Sequence, residues 1–230
     1  MIDKKALIYG ATGGLGKAIV KELRKKNVNI FVIARNRKKL EDLIAELQLN
    51  PKQTFCCKTI TSQSDFDKVR NWLRHLNTNF DFAIHLAGQG LMKPAANLDL
   101  NEWNQLIDAN LTSAFAFYKL FYQCRATQNF EIVYFSSASL NRDWPKNSLY
   151  AASKSGLEAF AGSLQQEIKK EGGRVWLYRA GSINTGFFSN VKNHLPVEKM
   201  LKAEDVAKLV VQNLENPPGI YAPLVSILNE

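Results

Sequence analysis

ALIYGATGGLGKAIVKELRKK, residues 6 to 26, joins a short apolar run to an amphipathic stretch through a turn that holds four glycines. The apolar run has the length and composition of a buried strand, and the stretch after the turn repeats its apolar residues at helical spacing. Short apolar runs and amphipathic stretches then alternate along the rest of the chain. This alternation predicts βαβ units and a parallel sheet that is covered by helices on both faces.

The other predicted strands have the sequences NIFVIA, TFCCKTI, FAIHLAG, EIVYFSS, RVWLYRAG and IYAPLVSIL. Predicted helices lie at RKKLEDLIAEL, SDFDKVRNWLRHL, a long region from about Asn101, a segment that begins near Tyr150, and AEDVAKLVVQNL. We therefore predict an α/β fold, a Rossmann-type doubly wound parallel sheet of about seven strands in a single domain over residues 1–230. Ligands of such sheets bind at the carboxyl ends of the strands, near the point where the strand order reverses.

Composition and charge narrow the class of protein. Hydrophobic residues make up 46% of the 230 residues and charged residues 22%, close to globular averages. No apolar run approaches the ~18 residues of a membrane helix, and the first residues lack a signal-peptide pattern, so we expect a cytoplasmic protein without a membrane partner. The net charge of +9 is spread along the chain, which argues against nucleic acid but would steer anionic ligands.

The three cysteines have no metal-ligand spacing and no histidine partner close in sequence. We expect them to be reduced and buried, and we expect no metal site.

GATGGLG, residues 10 to 16, directly follows the first predicted strand and opens the first predicted helix, which is the context of a dinucleotide fingerprint. Glycines let the backbone approach a pyrophosphate, and a helix N-terminus offers N–H donors to it. The spacings Gly10, Gly14, Gly16 and Gly10, Gly13, Gly16 both fit known variants. Close packing of the strand against the helix is the alternative reason for such a turn.

A basic turn, RNRKK, follows the second predicted strand, and the next acid is Glu41. At this place in dinucleotide sites, an acid accepts the ribose 2′-hydroxyl, whereas an arginine receives a 2′-phosphate. Four cations at the start of a helix are unfavourable against its dipole, so they indicate a functional demand. We interpret Arg35, with Arg37, as a clamp for a 2′-phosphate, which predicts NADP(H) as cofactor; a solvated basic turn is the alternative.

YAASK, residues 150 to 154, places Tyr150 and Lys154 on one face of a helix. An ammonium close to a phenol favours the phenolate and lowers the pKa of the tyrosine. An isolated pair of this kind is more often a solvated lysine beside a packed tyrosine, so the other motifs must decide.

The sequence resembles the short-chain dehydrogenases/reductases in their compact form. GATGGLG, HLAG at residues 85 to 88, the asparagine of IDANLTSAF, YFSSAS, YAASK and RAGSINT occur in the family's order along nearly the whole chain. The resemblance implies an NADP(H)-dependent oxidoreductase that interconverts a carbonyl and an alcohol on a small molecule. It implies Tyr150 as acid/base, Lys154 as its activator and ribose holder, Ser137 as the carbonyl polariser and Asn110 as the residue that positions a relay water.

The cofactor-binding set predicted from the motifs and the resemblance is Gly10, Thr12, Gly13, Gly14, Leu15, Gly16, Arg35, Arg37, Ile60, Ala87, Gly88, Tyr150, Lys154, Gly181, Ile183 and Thr185. Ser136 is an alternative to Ser137, because neighbouring strand residues face opposite sides of a sheet.

Three positions depart from the family's pattern. The usual Asn-Asn-Ala-Gly is His85-Leu86-Ala87-Gly88 here, the acid after the third strand is Thr59, and the usual Pro-Gly is Ala180-Gly181. We interpret His85 as a hydrogen-bonded histidine that ends a buried strand rather than as a catalytic group.

Aromatic residues predict an apolar pocket. Phe187, Phe188 and His194 lie in the segment 186–198, which forms a lid in the family, and Trp144 lies before the tyrosine. An aromatic residue in a loop can also simply pack.

The region 102–123 carries more apolar side chains than a sheet-facing helix needs, and family members pair through this helix. A homodimer or homotetramer is therefore predicted, with core burial as the competing explanation.

Two other functions stay open at this point. A sugar-nucleotide epimerase or dehydratase-like enzyme tolerates the same glycine turn, although such chains usually carry a substantial carboxyl-terminal substrate domain. A non-catalytic NADP-binding regulator would be expected to have lost the catalytic residues.

Overall fold

In the computed structural model, which describes residues 1, 3–187, 195–217 and 220–229, seven strands form one parallel sheet. The strands are β1 (Lys5–Tyr9), β2 (Asn29–Ala34), β3 (Thr54–Cys56), β4 (Phe82–His85), β5 (Glu131–Ser137), β6 (Arg174–Ala180) and β7 (Leu224–Ile227). Their order in the sheet is β3-β2-β1-β4-β5-β6-β7, so the winding reverses between β1 and β4. The predicted fold class is confirmed.

Within the described residues, seven α-helices connect or follow these strands: α1 (Gly14–Lys25), α2 (Arg37–Leu47), α3 (Gln63–Leu76), α4 (Leu100–Ile107), α5 (Ser113–Tyr122), α6 (Ser148–Ile168) and α7 (Ala203–Glu215). The long helix predicted from about Asn101 is in fact two helices, α4 and α5, separated by a π-helical segment over Asp108–Thr112. No helix among the described residues is long and apolar enough to cross a bilayer.

The apolar core consists of one layer on each face of the sheet. On β1, Ile8 points to the layer that contains α1, α2 and α7, whereas Leu7 points to the layer that contains α3, α5 and α6. Adjacent strand residues alternate between faces, so strands that are buried on both sides read as continuous apolar runs. This is why the runs were recognisable in the sequence.

The three cysteines are free thiols. Cys57 is buried, whereas Cys56 and Cys124 are half-buried, so the prediction of burial holds fully only for Cys57. Burial raises the pKa of Cys57 and of Cys124 to about 12, which keeps both thiols protonated at neutral pH.

Candidate active site

A cleft of about 730 Å³ opens where the strand order reverses, and the loops that follow β1, β4, β5 and β6 line it. Parallel strands all point their carboxyl ends to this edge, which is where doubly wound sheets bind ligands. Most of the predicted site residues line this cleft: Gly10, Gly13, Gly14, Leu15, Gly16, Ala87, Gly88, Ser137, Tyr150, Lys154, Gly181, Ile183 and Thr185. The fold thus brings together residues that lie far apart in the sequence.

Five predicted residues do not line the cleft: Thr12, Arg35, Arg37, Ile60 and Asn110. Arg35 and Arg37 are exposed beyond the end of β2, where the cleft is lined instead by Lys39 from the first turn of α2. Ile60 is fully buried among the core residues under α3, so its contact with a cofactor stays a prediction that this structure does not favour. Of the predicted lid, Phe187 lines the cleft, while Phe188 and His194 lie outside the described residues.

The glycines of the first turn allow three close approaches of the backbone. Gly10 has φ +92°, and a Cβ atom there would lie 2.6 Å from the backbone nitrogen of Ala87. A Cβ atom at Gly16 would lie 2.6 Å from Cα of Ala11, and one at Gly14 would lie 2.9 Å from Cα of Thr185. Side chains at these three positions would therefore overlap the backbone, so close packing is a real reason for the turn.

The N-terminus of α1 offers uncapped N–H donors to the cleft. Gly13, the residue before the helix, provides no side-chain cap, and the first turn of α1 contains no acidic residue. The first N–H groups of a helix have no partner within the helix, and the helix dipole favours negative charge there. Gly13, Gly14 and Leu15 line the cleft, so these donors fit a phosphate group of a dinucleotide.

Ser137 and Tyr150 meet at the floor of the cleft. Ser137 ends β5, Tyr150 lies in the first turn of α6, and the two side chains share a hydrogen bond. Ser136 faces away from this pair, because its Oγ donates to Oε1 of Glu158 at 2.6 Å. Of the two serines, Ser137 is therefore the one beside the phenol.

The phenol of Tyr150 is not acidified in this structure, contrary to the sequence-based expectation. Burial raises the pKa of Tyr150 to about 12, although the hydrogen bond with Ser137 acts in the opposite direction. Nζ of Lys154 lies 5.9 Å from the centre of the Tyr150 ring and donates to the backbone oxygen of Phe135 at 2.8 Å. Desolvation is the main cause of the raised pKa of Tyr150, and burial also lowers the pKa of Lys154 to about 8.

Asn110 lies in the π-helical segment, directly behind the cleft. Its Oδ1 accepts from the backbone nitrogen of Gln89 at 2.8 Å, and its Nδ2 donates to the backbone oxygen of Gln89 at 3.0 Å. Nδ2 also donates to Oγ of Ser153 on α6 at 2.9 Å. The amide thus joins the loop after β4 to α6 and holds both beside the cleft, while its role in a proton relay stays a prediction.

His85 is a hydrogen-bonded histidine that ends the buried strand β4, so its sequence-based interpretation is confirmed. Oγ of Ser113 donates its hydrogen to the backbone oxygen of Ala109. In the hydrogen bond between His85 and Ser113, which is 2.9 Å long, Nε2 of His85 is therefore the donor and Oγ of Ser113 is the acceptor. Burial, together with repulsion from Lys154, lowers the pKa of His85 to about 3. The ring contacts three aromatic side chains, those of Tyr9, Phe117 and Tyr134.

Asn229 and Arg142 are among the lining residues that escaped prediction from the sequence. Asn229, near the carboxyl terminus, accepts from the backbone nitrogen of Ser182 at 2.7 Å and donates to its backbone oxygen at 3.0 Å, which fixes the loop after β6. Arg142 lies in the loop between β5 and α6 and lines the outer part of the cleft. A lone asparagine and a lone loop arginine match no motif, so the sequence carried no signal for either.

The family model for short chain dehydrogenases matches residues 4–196. The chain belongs to this family. As a short-chain dehydrogenase it is an oxidoreductase of a family that binds a nicotinamide cofactor and acts on small molecules.

Relatives of this short-chain dehydrogenase cover almost its full length. An uncharacterized oxidoreductase of Staphylococcus epidermidis is 25% identical over 227 residues, which are 98% of this chain and 96% of that protein. A solved short-chain type dehydrogenase/reductase from Mycobacterium ulcerans has a TM-score of 0.85 at 19% identity and covers 99% of this chain and 89% of its own. An alcohol dehydrogenase from Thermococcus sibiricus, complexed with 5-hydroxy-NADP, has a TM-score of 0.81 at 23% identity. The match covers 97% of this chain and 95% of that one.

Proposed function

We propose that this short-chain dehydrogenase is an NADP(H)-dependent enzyme that interconverts a carbonyl and an alcohol on a small molecule, with Tyr150 as acid/base. The observation that carries the proposal is the hydrogen-bonded pair of Ser137 and Tyr150 on the floor of the cleft, with Lys154 buried beside it. Two hydroxyls at one point can both face a carbonyl oxygen, which is what reduction of that carbonyl requires.

The residues that we assign to the cofactor line the same cleft as this pair. The N-terminus of α1 would hold the pyrophosphate, and the loop after β6, with Ile183 and Thr185, would hold the nicotinamide near Tyr150. A bound reduced nicotinamide would supply a hydride to the carbonyl carbon.

The chain supplies the proton and stabilises the developing charge. Tyr150, which is protonated at neutral pH because its pKa is about 12, donates its proton to the carbonyl oxygen and becomes a phenolate. Ser137 donates a hydrogen bond to the same oxygen, and the ammonium of Lys154 stabilises the phenolate until water returns the proton. Alcohol oxidation starts from the phenolate, so its rate should rise as the pH approaches the pKa of Tyr150, whereas reduction starts from the protonated phenol and its rate should fall over the same range.

The preference for NADP(H) rests on the charge beyond β2. Arg35, Arg37 and Lys39 surround the start of α2, and α2 has no acid in its first turn. The first turn of α2 therefore offers no carboxylate to a ribose 2′-hydroxyl, whereas its cations suit a 2′-phosphate. The NADP analogue in the Thermococcus sibiricus relative supports the same cofactor.

We also propose a cytoplasmic homodimer or homotetramer. Half of the apolar side chains of α4 and α5 are buried in the chain itself, including Leu106, Phe117 and Phe121, so core burial explains part of the surplus. Trp103 and Phe115 remain 44% and 50% exposed on this region and support pairing. Light scattering at micromolar concentration should give at least twice the 25.9 kDa chain mass, and a monomer would refute the assembly.

The test of the activity is NADPH oxidation in the presence of a panel of aldehydes and ketones. We expect at least one carbonyl to be reduced, with one alcohol formed for each NADPH consumed. NADPH binding without turnover of any carbonyl would contradict the proposal and favour a regulator that binds the cofactor without catalysis.

A further inference from the structure

The loop between β5 and α6 forms the outer wall of the cleft beside Ser137 and Tyr150. Two of its residues, Arg142 and Trp144, line the cleft, and both are exposed. The guanidinium carbon of Arg142 lies 3.9 Å from the centre of the Trp144 ring, which is a cation–π contact. The stack presents a positive charge and an aromatic face next to one another.

This loop is tied to the rigid part of the fold directly before the arginine. Oδ1 of Asn141 accepts from Nη1 of Arg179 on β6 at 3.3 Å. Arg179 in turn forms a two-pronged ion pair with Glu158 of α6, Nε to Oε1 at 2.9 Å and Nη2 to Oε2 at 2.5 Å. Ser136 donates to the same carboxylate, so β5, β6 and α6 together fix the position from which Arg142 extends.

The two arginines at this loop differ in their charge balance. The charge of Arg179 is neutralised by Glu158, whereas no carboxylate of the described residues forms an ion pair with Arg142. Among the described residues that line the cleft there is no Asp or Glu at all, and the cations are Lys39, Arg142 and Lys154. An arginine whose planar fork lacks a carboxylate partner is suited to bind an anion from outside the chain.

Arg142 lies on the side of the cleft that is remote from the expected phosphates. These are assigned to the N-terminus of α1 after β1, whereas Arg142 follows β5, two strands away in the sheet. Neighbouring strands are about 4.8 Å apart, so β1, which leads to the expected phosphate site, and β5, which leads to Arg142, are about 10 Å apart. Arg142 is therefore available to the molecule that reacts at Tyr150.

The surface between Tyr150 and the mouth of the cleft is apolar. Leu91 packs against the apolar cluster that contains Tyr150, and Leu91, Met92, Phe187 and Leu195 all line the cleft. These residues would contact the body of a substrate whose carbonyl lies at Tyr150.

We propose that the substrates are carbonyl compounds with an apolar, preferably flat, body and an anionic group, and that Arg142 binds this group. The inference rests on the proposed carbonyl chemistry and adds the class of substrate to it. Arg142 contacts the substrate but takes no part in the transfer of hydride or proton.

A pair of aromatic aldehydes of similar shape tests the proposal, namely 4-carboxybenzaldehyde, which is an anion at neutral pH, and its methyl ester, which is neutral and one methyl group larger. We expect kcat/KM with NADPH to favour the acid about fivefold, the size of effect expected for an exposed ion pair. Arg142→Met should bring the ratio of acid to ester close to one, and Arg142→Glu should invert it. Equal kcat/KM for the two aldehydes in the unmodified protein would overturn the proposal.

Lys146→Met is the matched control. Lys146 is exposed in the same loop but does not line the cleft, so its replacement changes the net charge by the same amount and should leave the ratio unchanged. A preference for the acid that persists in Arg142→Met, or that is lost in Lys146→Met, would show a general field rather than a contact and would overturn the proposal.

The affinity for NADPH separates a substrate contact from a cofactor contact. Arg142→Met should leave the dissociation constant of NADPH unchanged within about twofold, and a loss of fivefold or more would assign Arg142 to the cofactor and overturn the proposal. Failure of every carbonyl in the panel would overturn the proposed function itself. Reduction of neutral aldehydes without any preference for the acid would overturn only the inference about Arg142.

Discussion

The two ends of the cleft differ in burial. At the end formed by β5 and α6, Tyr150 is 5% exposed and Lys154 is 6% exposed. At the end formed by β2 and α2, Arg35 and Lys39 extend into solvent. Burial makes charge costly and shifts pKa values, whereas water and salt screen exposed charges. Substitutions at the buried end should therefore strongly change turnover and the stability of the folded protein. Substitutions at the exposed end should change the affinity for the cofactor moderately.

The largest effect is expected from Tyr150→Phe, which removes the only transferable proton of that side chain. Reduction of any accepted carbonyl should fall by about a thousandfold, within the range for loss of a general acid, while NADPH binding stays largely intact. Turnover and the dissociation constant of NADPH measure the two effects separately.

Tyr134→Phe provides the control for Tyr150→Phe. Tyr134 is fully buried and does not line the cleft, so loss of its hydroxyl should leave turnover nearly normal. Near-normal turnover in Tyr150→Phe would refute the proposed acid/base role.

Lys154→Met should lower activity and raise stability together. Loss of the ammonium removes the expected ribose contact and the stabilisation of the phenolate, so turnover and NADPH affinity should each fall by about tenfold or more. Removal of a buried cation also removes its desolvation cost, which we expect to stabilise the folded protein by about 1 to 3 kcal/mol at pH 7. Thermal unfolding and NADPH titration measure both results.

The stability gain of Lys154→Met should depend on pH in a defined direction. The pKa of Lys154 falls from 10.5 to about 8 on folding, so between these values the unfolded chain binds more protons and the stability of the unmodified protein rises with pH. The advantage of the variant should be complete below pH 8 and decline towards pH 10.5. A constant advantage across this range would show that Lys154 is not a desolvated cation.

The contrast between the ends of the cleft also explains what the sequence could predict. The seven strands were recognisable because both faces of the sheet are covered, which makes the strands continuous apolar runs. Tyr150 and Lys154 were recognisable as a pair because residues four apart share one face of a helix. Their roles and that of Ser137 came from the resemblance to the family, which needs the motifs along nearly the whole chain.

Contacts with backbone atoms and with distant residues left no such signal. The acceptor of Lys154 is the backbone oxygen of Phe135. The sequence around the π-helical turn that places Asn110 contains no glycine or proline that would reveal the turn. The raised pKa of Tyr150 depends on how much of the chain covers it, which only the assembled fold determines. At the exposed end, the RNRKK run indicated the right turn but not that Lys39 would be the residue lining the cleft.

At the exposed end, NADPH should bind at least about tenfold more tightly than NADH, which corresponds to about 1.4 kcal/mol. Arg35→Asp and Lys39→Asp should each reduce or reverse this ratio, because each places a carboxylate near the 2′ position. Lys52→Asp, an exposed change after α2, is the control and should preserve it. Fluorescence titration of both cofactors measures the ratios, and equal affinities in the unmodified protein would exclude a 2′-phosphate clamp.

The smallest effect concerns His85, behind the buried end of the cleft. Its pKa falls from 6.5 to about 3 on folding, so below pH 6.5 the unfolded chain binds a proton that the folded chain excludes. The free energy of unfolding is therefore unaffected by the titration of His85 above pH 6.5 and should fall by about 1 kcal/mol for each pH unit as the pH falls from 6.5 towards 3. His85→Gln keeps an amide donor for Ser113 but removes the titration, so the difference in unfolding free energy between the two proteins should shrink by about 1 kcal/mol between pH 6.5 and 5.5. Denaturant unfolding at both pH values measures this difference. Parallel stability profiles would show that His85 can take up a proton in the folded state, and the buried end of the cleft would then be more accessible to solvent than its packing indicates.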